Sequence, residues 1–355
     1  MTDDDPSPVT AAASVPSASD RIAVVVNGNA KSVTDEVIST LDQILLGGDL
    51  FVSRQLEDSS DIAKTLLSRG YGTVLTGGGD GTFTVMVSAI VREAREQGKA
   101  LPRFGLLKLG TGNALAWVVG ASRAKGRGLA ADIQRLREDA GSRHVRLVEV
   151  DGFLTPFAGF GVDAVVLRDY TDVKALLMKT PLRRYAAGPL SYALGSITRS
   201  IPSYFFRSEP HCRITNEGGD AFRMGDQGQV VGPPIPRGEV IYEGPAKVAG
   251  LGSIPYYGFG FRFFPFADER DDRMHLRVST IGPVQFVANF PGIWRGEFHD
   301  PSVVFDYLVE AVRMEMDPPT EFQIGGDPRG VHAEVSARLS PEALRIVDFY
   351  APPRP

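Results

Sequence analysis

Two glycine-rich turns carry the residues best placed to do chemistry. The first is Thr76-Gly77-Gly78-Gly79-Asp80-Gly81-Thr82, directly after an apolar run and directly before a helical pattern. The second is Leu109-Gly110-Thr111-Gly112-Asn113-Ala114-Leu115, again following an apolar run. Glycine permits positive φ and lets the backbone come close to a ligand. A row of N–H groups that opens a helix is a ready anion site, to which Thr82 adds a hydroxyl. Asp80 repels phosphate; it suits instead Mg²⁺, or the waters of Mg²⁺, beside a phosphorylated ligand. The plain alternative is a tight strand-to-helix turn that uses Gly and Asp-Gly for geometry alone. Leu115 stands where the third glycine of GxGxxG would be, and GxxxxGK[ST] is absent. Two such turns on neighbouring loops point to one bound nucleotide, held by neither standard motif.

The segments around the turns alternate between two periods. Arg21–Asn27 is a continuous apolar run and predicts a buried parallel strand. Val33, Val37, Ile38, Leu41, Ile44 and Leu45 recur at helical spacing, with Ser32 as a cap. Leu50–Arg54 predicts a second strand. Ser59 or Ser60 opens a second helix with Ile62, Ala63, Leu66 and Leu67 on one face, and Gly70 closes it. Thr73–Thr76 is a third strand, a helix runs from about Thr84 to Gln97, and Phe104–Leu109 is a fourth strand. This alternation predicts an α/β, doubly wound parallel sheet, with both turns at its carboxyl edge, where ligands bind.

Beyond about residue 145 the pattern changes. Helical periodicity survives near Val173–Ser200 and Pro301–Val312. Short β-rich runs appear at Gly228–Gly232, Glu239–Glu243, Tyr256–Phe264, Met274–Ser279 and Ala333–Ala337. They predict a second, mainly antiparallel β-domain built as a sandwich.

Composition narrows the function classes. A net charge of -5 and the lack of a basic run disfavour nucleic acid as a partner. Cys212 is the single cysteine, which fits a reducing compartment. Met1–Asp20 is acidic and rich in Ser, Ala and Pro, without the basic and apolar regions of a signal peptide, and predicts a disordered tail. No apolar stretch reaches the ~18 residues needed to span a bilayer. These features predict a cytoplasmic protein. His144, His211, His275, His299 and His332 lack metal-ligand spacing, and no GxSxG elbow is present.

GGDGT after one strand and LGTGN after the next resemble the diacylglycerol kinase catalytic domain family. Its superfamily also includes sphingosine and ceramide kinases and, more remotely, NAD kinases and phosphofructokinases. The resemblance runs from about Arg21 to Phe349. Gly159-Phe160-Gly161-Val162-Asp163-Ala164 resembles the family's GxGxDA segment, and Pro265–Leu276 its P-x-A-x-x-x-DG stretch. Phe322–Pro328 falls where the family carries DGE, and Ser340-Pro341-Glu342-Ala343-Leu344 resembles its closing segment.

The resemblance implies roles for particular residues. Asn27, Gly28, Asn29, Ala30 and Lys31 correspond to the NPxxG nucleotide loop, with Gly28 replacing Pro. Ser53 sits where a nucleotide-contacting Thr is usual. Gly78, Gly79, Asp80, Gly81, Thr82, Phe83 and Thr84 match the central glycine loop, and Thr111 the Thr of GTxN. These would hold ATP. Asp327, aided by Asp80, would serve catalysis by accepting the hydroxyl proton. Here Gly325-Gly326-Asp327 stands for DGE, so the first Asp is lost and the Glu is one methylene shorter. A Gly-Gly-Asp-Pro turn joining two strands is the alternative. Asp271, with the backbone carbonyls of Asp268 and Arg273, aligns with a structural Mg²⁺ site, although Asp272 replaces its glycine. A solvated acidic turn explains the same residues.

The acceptor side rests on two segments. Tyr257, Phe259, Phe261 and Phe263 alternate and predict one face of a strand. That face is an acyl-chain wall, a membrane contact or packed core. Lys174, Lys179, Arg183 and Arg184 surround Ala175-Leu176-Leu177-Met178, as a helix docking on anionic lipid or as a solvated face.

The expectation is an ATP- and Mg²⁺-dependent lipid kinase. It would phosphorylate a hydroxyl of diacylglycerol or a related lipid, a sphingoid base included, in contact with the membrane surface, as a monomer or homodimer. The expected division is a tail over 1–20, an α/β ATP-binding domain over 21–145, a β-rich lipid-acceptor domain over 146–335, and a closing segment over 336–355 returning to the first domain. The rivals are a soluble-substrate kinase resembling NAD kinase and a catalytically impaired nucleotide-binding regulatory protein, the latter motivated by Gly325-Gly326-Asp327.

Overall fold

Val24, Val25 and Val26 are wholly buried, as a strand covered on both faces must be, and form β1 (Ile22–Asn27). The computed structural model describes residues 21–30, 33–45, 49–55, 57–110, 113–122, 127–137, 141–161 and 209–350. The expected tail, Ser32, Lys31, Thr111, Asp163 and the Val173–Ser200 segment with its four basic residues lie outside the described residues.

The chain continues through α1 (Asp35–Leu45), β2 (Leu50–Ser53), α2 (Asp58–Arg69), β3 (Thr73–Gly78), α3 (Asp80–Gln97), β4 (Arg103–Lys108), α4 (Ala114–Val119), α5 (Arg127–Arg137) and β5 (Ser142–Val145). Then follow β6 (Val148–Val150), β7 (Phe153–Thr155), β8 (Phe157–Gly161), β9 (His211–Asn216), β10 (Phe222–Met224), β11 (Val240–Pro245), β12 (Val248–Gly252) and β13 (Met274–Ser279). The last elements are α6 (Pro283–Arg295), β14 (Val304–Val309), β15 (Ala311–Ile324), β16 (Asp327–Leu339) and β17 (Leu344–Val347).

The first sheet has the order β2-β1-β3-β4-β17-β5 and is parallel except where β5 meets β17. The second is antiparallel, in the order β10-β14-β13-β12-β8-β15-β16-β6-β7, with β9 and β11 branching from β15. β15 makes the branch. Its first half pairs with β9 and its second half with β8, and its pairing with β16 shifts register between Glu315 and Thr320, around Pro318 and Pro319. Proline cannot donate to a ladder, so the interruption falls there. Ile214 on β9, Leu251 on β12 and Met314 on β15 share one buried core, so both layers of the sandwich belong to one folded-over sheet.

Several segments depart from the sequence expectation. β3 runs on to Gly78 and α3 starts at Asp80, so the first glycine cluster is strand end and helix start. Gly77 and Gly78 stay in register with Leu107 and Lys108, and tertiary pairing overrides their poor strand propensity. Pro301–Val312 is not helical: Val304–Val309 pairs with β13 and β10. Gly228–Gly232 is a turn with one isolated bridge at Val230. Tyr256–Phe264 is no strand either, because Gly258, Phe259 and Gly260 all have positive φ. A hairpin-like turn results, closed by the Tyr257 N–H donating to the Phe261 carbonyl at 2.8 Å. Tyr257 and Phe264 are buried in the core that continues beneath the first sheet. No helix among the described residues is long and apolar enough to cross a membrane.

Candidate active site

The two glycine turns touch backbone to backbone. A Cβ on Gly110 would run into the Cα and N of Gly79, and one on Gly77 would meet Leu109 and Val26, each at 2.8 Å. Close packing of adjacent strand ends therefore demands glycine at both positions. α3 begins with Gly79 as an extended N-cap and has no side-chain cap. Its first N–H groups are left for a ligand, with the positive end of the helix dipole behind them.

Asp80 joins the turns from within. It is buried, and its carboxylate accepts from the N–H of Ala114 at 2.8 Å and of Leu115 at 3.4 Å. A side chain of α3 thus caps α4 and fixes the second turn against the first. Burial pushes the Asp80 carboxyl up to about 6; the two N–H bonds oppose the rise, Asp327 adds to it, and Lys108 opposes it.

Asp327 arrives from the second sheet. β15 and β16 are joined through Gly325 and Gly326, with φ of 58° and 86°, a two-residue hairpin of the type that glycine favours. The Gly-Gly-Asp segment is therefore a turn between strands, and that turn carries Asp327 to the glycine loop. A Cβ on Gly81 would run into the Asp327 carboxylate. Gly325 lies as close to α3: a Cβ there would stand 2.8 Å from Thr84 Oγ1 and 2.9 Å from Thr155 Oγ1. Asp327 keeps an exposed surface, yet the cleft walls strip enough water from its carboxyl to raise it above the ordinary range, against the pull of Arg329. Asp327 lies near enough to Asp80 to raise its carboxyl, and a divalent cation would relieve that repulsion.

The other expected residues divide by where they point. The Asn27 side chain donates to Thr82 Oγ1 at 3.3 Å and accepts from the Asn29 N–H at 2.9 Å, so the first loop is tied to α3. The Gly28 N–H donates to the Ser53 carbonyl, and Asn29 donates to the Arg54 carbonyl at 2.7 Å. Ala30 completes this turn. The Ser53 hydroxyl donates within its own loop, to the Gln55 carbonyl. Phe83 is fully buried in the core, and its N–H is given to the Gly79 carbonyl at 3.2 Å. Thr84 is buried too, and bonds Thr155 at 3.3 Å, joining α3 to β7. Ser88 extends this seam by accepting from the Leu154 N–H at 2.7 Å.

Asn113 stands in the LGTGN motif without a role assigned from sequence, although it packs beside the second turn. It adopts φ of 44°, donates to the Gly110 carbonyl at 2.5 Å, and leaves its Oδ1 buried without a partner among the described residues. An Asn just after Gly-Thr-Gly, where a left-handed residue is needed, was the available signal.

Asp268, Asp271 and Arg273 lie apart from the glycine turns. Both aspartates are exposed and line a second cavity together with five arginines. Asp272 takes Arg270 Nε at 3.0 Å and Arg273 Nη1 at 2.9 Å. No group of three or more His, Cys, Asp or Glu side chains suited to a metal occurs among the described residues. A magnesium ion at Asp271 would lie in a cavity with more guanidiniums than carboxylates, and these residues do not fit it.

Residues 21–148 match the sequence model of the diacylglycerol kinase catalytic domain. No curated protein matches the chain. A candidate diacylglycerol kinase from Bacillus anthracis str. Sterne superposes with a TM-score of 0.62 at 15% identity, covering 92% of this chain and 97% of that one. A crystal structure of a diacylglycerol kinase from the same organism gives 0.60 at 13% identity, covering 93% and 97%. The likeness of fold spans both sheets.

Proposed function

We propose that this chain, whose residues 21–148 carry the diacylglycerol kinase catalytic domain, is an ATP-dependent kinase that phosphorylates a hydroxyl of diacylglycerol or a related lipid. The observation that carries this reading is the Asp327 carboxylate lying over Gly81, at the uncapped start of α3. Phosphoryl transfer needs alignment, charge neutralisation and a group to take the hydroxyl proton. The N–H groups of α3's first turn and the Gly110 turn suit the triphosphate. Lys108, close enough to Asp80 to stabilise its charge, adds a cation at the same edge. Magnesium entering with the nucleotide would neutralise the phosphates, with Asp80 and Asp327 as the carboxylates at hand.

Asp327 then faces the acceptor. The lipid oxygen attacks the γ-phosphorus, the bond to the departing ADP oxygen breaks, and the hydroxyl proton passes to Asp327. A carboxyl raised by desolvation is a better base than an ordinary one, which favours that step. Asp80 acts chiefly by positioning, since its oxygens hold the second turn in place.

Labelled ATP with a panel of acceptors (diacylglycerol, sphingosine and NAD) tests the proposal. Label on a lipid, lost in Asp327→Asn, supports it. Label on NAD alone indicates a soluble-substrate kinase. ATP binding without transfer to any acceptor indicates a regulatory protein.

A further inference from the structure

The second cavity has a volume of about 620 Å³ and shares no lining residue with the glycine turns or Asp327. It lies where β5, α4 and the Arg262–Arg273 segment meet. Its guanidiniums differ in how they are engaged. Arg143 pairs with Asp348 at 3.4 Å, while Arg270 and Arg273 share the single carboxylate of Asp272. Arg146 and Arg262 have no carboxylate partner among the described residues. The Arg262 Nε is, moreover, buried without a hydrogen-bond acceptor among those residues. Its backbone is held by the Trp294 carbonyl at 3.0 Å, so the side chain's root is fixed.

The Arg262 Nε is closed to the cavity, so a ligand would meet this guanidinium through its terminal nitrogens. Asp268 and Asp271 also line the cavity, yet neither reaches Arg262 or Arg146 as an ion pair. The lining includes Trp117 at 41% and Tyr350 at 67% exposure, aromatic side chains of the kind that settle at a membrane interface. Guanidinium geometry matches carboxylate and phosphate oxygens alike, and phosphate offers the larger number of acceptor oxygens.

We infer that this cavity is a second phosphate site, separate from the glycine turns, that binds a phosphate group on an anionic phospholipid headgroup or as free phosphate through Arg262 and Arg146. Occupation would give Arg262 and Arg146 the anionic partner they lack and brace α4, whose N-terminus Asp80 holds beside the glycine turns.

The test uses the full chain. Binding of inorganic phosphate is followed by ³¹P line broadening, and binding to phosphatidylglycerol vesicles by flotation, with phosphatidylcholine vesicles as reference. Arg262→Gln and Arg146→Gln are compared with Arg262→Lys; Arg146 is exposed, so its variant spares the fold. Loss of one charge-assisted contact should weaken phosphate binding about tenfold in each glutamine variant, with partial rescue by lysine. A matching fall in phosphatidylglycerol flotation identifies the headgroup as the source; unchanged flotation with lost phosphate binding identifies free phosphate. Phosphate affinity equal to wild type in both folded glutamine variants would overturn the inference, as would protection of this cavity by magnesium instead of phosphate.

Discussion

Gly81→Ala separates the fold from the chemistry. Gly81 lies in the first turn of α3 with no positive φ, so alanine suits its backbone and raises helix propensity by up to about 1 kcal/mol. The new Cβ would occupy space now held by the Asp327 carboxylate, which is the far end of a short side chain and can swing away. It must retreat by roughly 1 Å to restore ordinary contact, and a displacement of that size costs on the order of 100-fold in rate. The assay is turnover on the lipid acceptor at saturating ATP, read beside nucleotide affinity and the thermal midpoint. Turnover should fall about 100-fold while the midpoint holds or rises and nucleotide affinity changes little. Wild-type turnover in the folded variant would refute the placement of Asp327 at the reacting phosphate.

Three further outcomes are expected. Asp327→Asn should lower turnover by about 10²- to 10⁴-fold with nucleotide affinity largely retained, because proton transfer is removed while the N–H groups that hold the phosphates stay; equilibrium binding beside steady-state kinetics checks this. Asp80 holds its proton in the folded state up to about 6 against an ordinary 3.8, so the folded state gains stability as pH falls through that interval. Asp80→Asn should flatten this dependence in urea midpoints measured across it, and an unchanged slope would count against the buried carboxylate. In the second sheet, burial raises the Asp306 carboxyl, but Arg277 at 2.7 Å and His275 at 2.8 Å outweigh it and hold it well below the ordinary range. Asp306→Ala strands both partners and should cost about 3–5 kcal/mol in denaturant unfolding.

The parallel half of the fold was legible because its strands are unbroken apolar runs and its helices keep a strict face. Val24–Val26 and the Ala63, Leu66 and Leu67 stripe are buried as the periodicity requires. The second half was less legible, since strand and helix share short apolar runs. Val304–Val309 reads as either, and only pairing with β13 decides. α6 escaped because Pro291 and Gly292 interrupt its pattern, although Phe286, Phe290 and Trp294 recur at helical spacing. Alternating aromatics at Tyr257–Phe263 misled for the opposite reason: the glycines between them turn the chain instead of extending it. At the candidate site, the glycine clusters were visible as letters. That Asp80 bonds the second turn, and that Thr84 and Phe83 face inward, depends on long-range packing which spacing does not encode.

On the proposed reading, the first turn of α3 and the Gly110 turn grip a triphosphate whose last phosphate faces Asp327. A crystal structure with a non-hydrolysable ATP analogue tests it directly. The predicted result is phosphate oxygens on the N–H groups of α3's first turn, with the γ-phosphate on the Asp327 side. An analogue bound elsewhere, with those N–H groups facing only solvent, would contradict it.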